Sequence, residues 1–320
     1  MMQRQMDSWA GTAHLLFIAI VVLAGFGAAP SYAVSPVIAI NEEAKKAVVQ
    51  AQPLRGDLSV LEGSGGNITV LNSPKGKFLV DGGIAYSKDS IVQALQTISN
   101  APPLFVVNTH YHWDHTDSNA WLHELGATII AHPNTLKHLS TSTRVDDWEF
   151  TFPPAPAAGR PTVLVSKTKT MKFNGTTIRI AYYGPSHTDS DLWVYFVEPD
   201  VLATGDTWWN GYYPFIDNEN GGSIDGMIRA AKDNVQRVTE KTLVVPGHGP
   251  VGGRAELIEY RDMLIDIRGK VAALKHQGKS QAEAVAAKPT AAYDRKWGGF
   301  VINPAFFTRL VFDGLPTTSK

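Results

Sequence analysis

Thr109-His110-Tyr111-His112-Trp113-Asp114-His115-Thr116 follows directly on the apolar run 104–107. Sheets of α/β proteins place their chemistry just beyond the carboxyl ends of strands. Here His110, His112, Asp114 and His115 crowd onto one short loop in that position. His110 and His112 are two residues apart and can converge on one ion. Asp114 and His115 can face a second. A solvated histidine-rich tract would not sit behind Val106-Val107, so the segment reads as a metal-binding loop.

Before this loop the chain shows short β-type runs at 58–61, 68–71 and 78–80. Gly63-Ser64-Gly65-Gly66-Asn67 separates the first two and reads as a hairpin turn. It is not a phosphate loop, because neither a helix start nor a Lys-Ser/Thr pair follows it. Residues 34–56 are a polar lead-in with a helical patch around 42–49. Helical periodicity at 90–98, the strand at 104–107, a helix at 118–125 closed by Gly126 and a strand at 128–131 give an α/β signature.

After the Pro-, Ala- and Gly-rich loop 151–161, a second run of strands is predicted at 162–165, 176–182, 192–197 and 201–204. A helix at 224–238, a strand at 243–245, a long helix at 254–276 and further helices over 280–314 complete the chain. Each half runs from β-rich to α/β. That pattern predicts a sandwich of two sheets with helices outside.

The 320 residues are 44% hydrophobic and 18% charged, which is a globular balance with enough chain for a large core. A formal charge of −1 leaves no basic surplus for nucleic acid. There is no cysteine, so thiol catalysis, thiolate ligands and disulfides are excluded and any metal is held by nitrogen and oxygen. Arg4, the apolar run 15–26 and Ala28-Ala29-Pro30-Ser31-Tyr32-Ala33 have the layout of a secretory signal cleaved after Ala33. The apolar run is shorter than the roughly 20 residues of a membrane span. The expected mature chain, 34–320, is exported to the periplasm or medium without stable membrane association. Its core covers about 58–253, with C-terminal helices over 254–320.

Three more strand ends carry ligand-type side chains. Gly184-Pro185-Ser186-His187-Thr188-Asp189 follows one strand, Ala203-Thr204-Gly205-Asp206-Thr207 another, and Val245-Pro246-Gly247-His248-Gly249 the last. Each has an apolar run, a Gly or Pro turn and then a His or Asp. Ser186 lacks the G-x-S-x-G surroundings of a nucleophile and reads as a turn residue. His123, His132, His138 and His276 lack the strand-end setting and read as structural or surface residues.

The H-x-H-x-D-H segment, followed by isolated His, Asp and His in that order, resembles the metallo-beta-lactamase superfamily over roughly 58–253. The resemblance implies a four-layered αβ/βα sandwich of two mixed sheets with a two-metal site at one edge. By it, His110, His112 and His187 bind one metal, Asp114, His115 and His248 bind the other, and Asp206 bridges them. Asp81 in Val80-Asp81-Gly82-Gly83 matches an aspartate that orients a ligand from behind. Two zinc ions per chain are implied; iron or manganese suit the same donors.

One departure stands out. In the best-known antibiotic-hydrolysing subclass, the position of Asp206 is a cysteine with a lysine three residues later. Here Thr207-Trp208-Trp209 follows, and Gly205-Asp206-Thr207 looks more like glyoxalase II.

The implied chemistry is hydrolysis of an amide or ester carbonyl in a small molecule, a β-lactam or lactone, by a metal-activated hydroxide that Asp114 orients. Two alternatives are a thioesterase of the glyoxalase II kind and a non-catalytic periplasmic redox-accessory metalloprotein. Trp113, Trp208, Trp209, Tyr212, Tyr213 and Phe215 are candidates for an apolar substrate groove, with core packing as the competing reading. The loop around 153–161 is either a flap or a plain surface connection.

Overall fold

The structure is a computed structural model that describes residues 35–316. The signal segment expected over 1–33 lies outside the described residues. Ser35 and Pro36 start the first helix, α1 (Pro36–Ala44), in which the Ser35 hydroxyl accepts from the Val37 amide. This Ser-Pro start puts the helix earlier than the expected patch at 42–49, because a capping hydroxyl and a proline at the first helical position favour initiation there.

The first sheet contains β1 (Gln50–Pro53), β2 (Leu58–Glu62), β3 (Ile68–Ser73), β4 (Gly76–Val80), β5 (Pro103–Val107), β6 (Thr128–Ala131) and β9 (Val163–Leu164), in that spatial order. β1 to β4 are antiparallel, and β4, β5, β6 and β9 run parallel. The stretch 162–165 therefore closes the first sheet and does not open the second. Parallel pairing needs a long crossover. This one runs through α5 (Pro133–Ser140) and a hairpin of β7 (Thr143–Val145) and β8 (Phe150–Phe152), neither of which shows a local pattern in the sequence.

The second sheet contains β10 (Thr168–Phe173), β11 (Thr176–Tyr182), β12 (Leu192–Phe196), β13 (Val201–Ala203) and β14 (Leu243–Val245). It is antiparallel except for the last pair. Between β4 and β6 lie α2 (Lys88–Ile98), the single turn α3 (Trp113–Thr116) and α4 (Asn119–Glu124). Toward the C-terminus come α6 (Ile224–Arg237), α7 (Arg254–His276), α8 (Gln281–Ala286), α9 (Asp294–Trp297) and α10 (Pro304–Gly314).

Strand alternation sorts the apolar residues into layers. Val60, Leu71, Phe78, Val80 and Val107 meet Ile178, Ile180, Val194 and Phe196 between the sheets. Leu61, Val70, Leu79 and Val106 face the opposite way, onto Ile91 and Leu95 of α2 and Leu122 of α4. Behind the second sheet, Ile224, Met227, Ile228, Ala231 and Val235 of α6 form a helical stripe against Leu257, Tyr260, Leu264 and Ile267 of α7. The result is helix, sheet, sheet, helix. Among the described residues no helix is long and apolar enough to cross a membrane.

Candidate metal centre

Four strand-end segments meet at one edge of the sandwich. The β5 end delivers His110, His112, Asp114 and His115, with α3 folding Asp114 and His115 back toward the sheets. The loops after β11, β13 and β14 deliver His187, Asp206 and His248. All seven are buried.

They fall into two groups of facing donor atoms. His110, His112, His187 and Asp206 form one, and Asp114, His115 and His248 the other, with the donor atoms of each group within 4.8 Å of one another. Asp206 also reaches the second group. Its Oδ2 lies 3.4 Å from His187 Nε2 and 3.4 Å from His248 Nε2, and its Oδ1 lies 3.1 Å from His115 Nε2.

The far side of most imidazoles is held. His115 Nδ1 is 2.8 Å from Asp81 Oδ2, His187 Nδ1 is 2.9 Å from the Phe215 carbonyl, and His112 Nε2 is 3.0 Å from Asp217 Oδ2. His110 Nδ1 is 3.1 Å from the Thr109 hydroxyl. His112 consequently turns Nδ1 inward, 3.0 Å from His187 Nε2. Asp81 also accepts from the Thr109 amide and hydroxyl at 2.7 and 2.8 Å. It does so from a left-handed backbone conformation (φ 65°) that aims its carboxylate under the metal loop.

The inward atoms fit metal ions. His110 Nε2, His115 Nε2, His248 Nε2 and Asp206 Oδ1 are buried without a hydrogen-bond partner. Such atoms are costly to leave unpaired, and here they point at one another across short gaps. Histidine nitrogen and carboxylate oxygen suit zinc, iron or manganese.

The electrostatics agree. Burial pulls the His187 pKa down to about 4 and holds that of His110 well below the usual range. Burial also opposes ionisation of Asp206, but the charges of His115, His248 and His110 outweigh it and keep this carboxyl well below the ordinary carboxylate range. Conversely, against the pull of burial, the Asp206, Asp114 and Asp81 carboxylates raise His115 well above its usual value. Asp206 and Asp114 likewise lift His248 to about 9. Asp206 and Asp114 thus favour the charged form while His115 and His248 favour the protonated one.

The aromatic candidates separate. Trp208 is fully buried in the core behind the second sheet and has no surface to offer a groove; Tyr213 and Phe215 are buried in the same core. Trp209 lies against His248, with ring centroids 4.2 Å apart. Tyr212 is half-buried beside Phe300. Trp113 donates to Asn41 of α1 at 3.0 Å and stacks on Phe152. With Pro153–Pro156 and His112, Trp113 lines a cleft of about 140 Å³, so the proline-rich segment is a wall beside the metal loop.

Sequence reasoning missed Asp217, Tyr111 and Phe300. Asp217 receives the hydrogen bond of His112 and that of the Tyr111 hydroxyl, and Asn220 Nδ2 adds another at 2.9 Å. Burial opposes its ionisation, yet these donors and the His112 charge bring its pKa to about 2. His138, read as structural, stacks on Tyr111 and sits 3.0 Å from Asp189.

The fold and the paired donor groups together define a metallo-hydrolase of the αβ/βα type. The chain belongs to the Metallo-beta-lactamase superfamily, whose family model matches residues 61–248. It is similar to the type 2 metallo-beta-lactamase of Bacillus sp. (strain 170), 25% identical over 200 residues that cover 62% of this chain and 72% of that protein. Its structure is similar to that of DIM-1 metallo-beta-lactamase, with a TM-score of 0.53, 19% identity and coverage of 68% of this chain and 97% of that one. It is also similar to an inverting sec-alkylsulfatase from Pseudomonas sp., with a TM-score of 0.62 and 16% identity, over 85% of this chain and 51% of the sulfatase. At such identities the structural likenesses establish the fold alone.

Proposed function

We propose that the chain is an exported metal-dependent hydrolase that cleaves an amide or ester carbonyl in a small ring substrate, a β-lactam or lactone. The observation that carries this reading is the set of orphaned donor atoms facing one another in two groups, with Asp206 between them. His110, His112 and His187 would hold one metal ion, Asp114, His115 and His248 a second, and Asp206 both; zinc is the ion we favour. Such a pair supplies Lewis acidity and brings the pKa of bound water to about 7.

The protein's own groups orient and exclude. Asp114 stays ionised because, against burial, the charges of His115 and His248 lower its pKa. We assign its Oδ2, 3.3 Å from His248 Nε2, to orienting the attacking water. Asp81 and Asp217 keep His115 and His112 in the orientation that presents one nitrogen inward. Burial of all seven donors removes bulk water and strengthens each electrostatic contact inside.

The likeness to type 2 metallo-beta-lactamases supports a lactam substrate. The Gly205-Asp206-Thr207 pattern, with aspartate and not cysteine between the groups, keeps a thioesterase as the second reading. The deciding experiment offers zinc-loaded protein a chromogenic cephalosporin, an acyl-homoserine lactone and a glutathione thioester, each with and without chelator. Chelator-sensitive turnover of the first or second supports the proposal. Turnover of the thioester alone replaces it with the second reading. Two bound zinc ions with no turnover of any probe would overturn the catalytic claim. Export is tested by N-terminal sequencing of protein recovered from the periplasm or medium, where Val34 is the expected first residue.

A further inference from the structure

We infer that Phe300, with Tyr212, forms an aromatic wall on the His248 side of the centre, and that the substrate carries a flat apolar group that covers it. This rests on the hydrolytic reading of the same centre. Phe300 lies outside the family match of residues 61–248, on the short connection between α9 and α10. That connection is anchored at both ends and exposed in the middle. Trp297 is buried, and its carbonyl accepts from the Tyr213 amide at 2.8 Å; Ile302 is fully buried. Between them, Phe300 and Val301 remain 36% and 38% exposed.

The exposed ring does not simply face solvent. Its centroid lies 4.7 Å from Tyr212, 6.1 Å from Trp209 and 6.4 Å from His248. Trp209 in turn packs on His248. The His248 imidazole is thus bordered by Trp209 and Phe300, with Tyr212 behind Phe300, and Phe300 and Tyr212 keep open surface. Aromatic faces left open beside a polar centre are what a site needs to bind a flat apolar group, and stacked or edge-on ring pairs give that contact a preferred geometry. Tying both ends of the connection into the core fixes the ring in place before a ligand arrives, which reduces the ordering cost of binding.

The test uses direct binding, so it does not depend on turnover. The zinc-loaded protein is titrated calorimetrically with 4-phenylbutyrate and with butyrate, which share a carboxylate and differ by a ring. Wild type should prefer 4-phenylbutyrate by about tenfold. Phe300→Ala should shrink that preference to about twofold, and Phe300→Tyr should keep it, with zinc content and thermal midpoint unchanged in both variants. Equal preference in wild type and Phe300→Ala, or no measurable binding of either probe, overturns the inference. An intact ring preference in a protein that hydrolyses none of the probes above would retain the wall and discard the hydrolytic reading.

Discussion

In one half of the centre, His110 and His187 are held neutral by burial, and each offers a bare nitrogen to the interior. In the other, His115 and His248 keep protons because Asp114, Asp206 and Asp81 surround them. The same residue type is tuned in opposite directions within one pocket, by whether burial or the neighbouring carboxylates prevail at each ring. A metal entering the first half meets two imidazoles, His110 and His187, already neutral. One entering the second must displace protons, so its binding depends on pH.

The largest expected effect breaks the link between the halves. Asp206→Ala should abolish binding of the second metal and lower turnover by well over the roughly 10–100-fold that loss of a supporting residue brings. Metal analysis alongside kinetics checks this, and a variant that keeps two metals and full activity removes Asp206 from its assigned place. Next come the two supporting aspartates. Asp81→Ala should weaken only the second site and Asp217→Ala only the first, each by roughly 10–100-fold in chelator competition. If both variants lose the same metal, the division into halves is wrong.

The pH dependence of the metal-free protein sharpens the contrast. His187 has a folded pKa near 4 against an ordinary 6.5, so the unfolded chain binds its proton more readily. Stability from this group is present above about pH 6.5 and is lost as pH falls toward 4. His248 has a folded pKa near 9, so its contribution is present below pH 6.5 and is lost as pH rises toward 9. Thermal midpoints of metal-free protein should therefore peak near neutrality and fall on both sides. Zinc should flatten the alkaline limb, because the metal takes the place of the His248 proton. An alkaline limb unaffected by zinc would contradict the assignment of His248.

The smallest effect is expected from Tyr111→Phe. It removes one donor from Asp217 and leaves the His112 contact, so first-site affinity should fall by about threefold to tenfold. An effect as large as that of Asp217→Ala would make the tyrosine, and not the aspartate, the main support.

The ligand loop was legible because its donors are close in sequence and follow a recognisably apolar strand. His187, Asp206 and His248 were legible because each repeats the same strand-then-turn context. Asp217 has no such context: it lies 105 residues from His112, in a polar loop that only the tertiary structure brings under the metal loop. Phe300 was hidden for the same reason. Among the elements, the edge strand β10 alternates exposed and half-buried residues and carries lysines, so its apolar signal is faint. β9 is two residues long and takes its sheet from the crossover before it, which no local window contains. Trp208 and Trp209 are adjacent in sequence, yet one fills a core and the other packs on His248; β-like alternation separates them, and composition could not.

The glycines beside the donors limit how the pocket can diversify. A methyl group at Gly66 would overlap the His115 ring, and one at Gly247 would overlap the Asp206 carboxylate. Even alanine at either position forces a donor aside, so both positions are closed to variation while the centre is intact. A saturation library around the site should return only glycine at 66 and 247 among functional clones, and varied residues at 212 and 300. New substrate ranges would then arise on the outer walls, while the inner floor remains fixed.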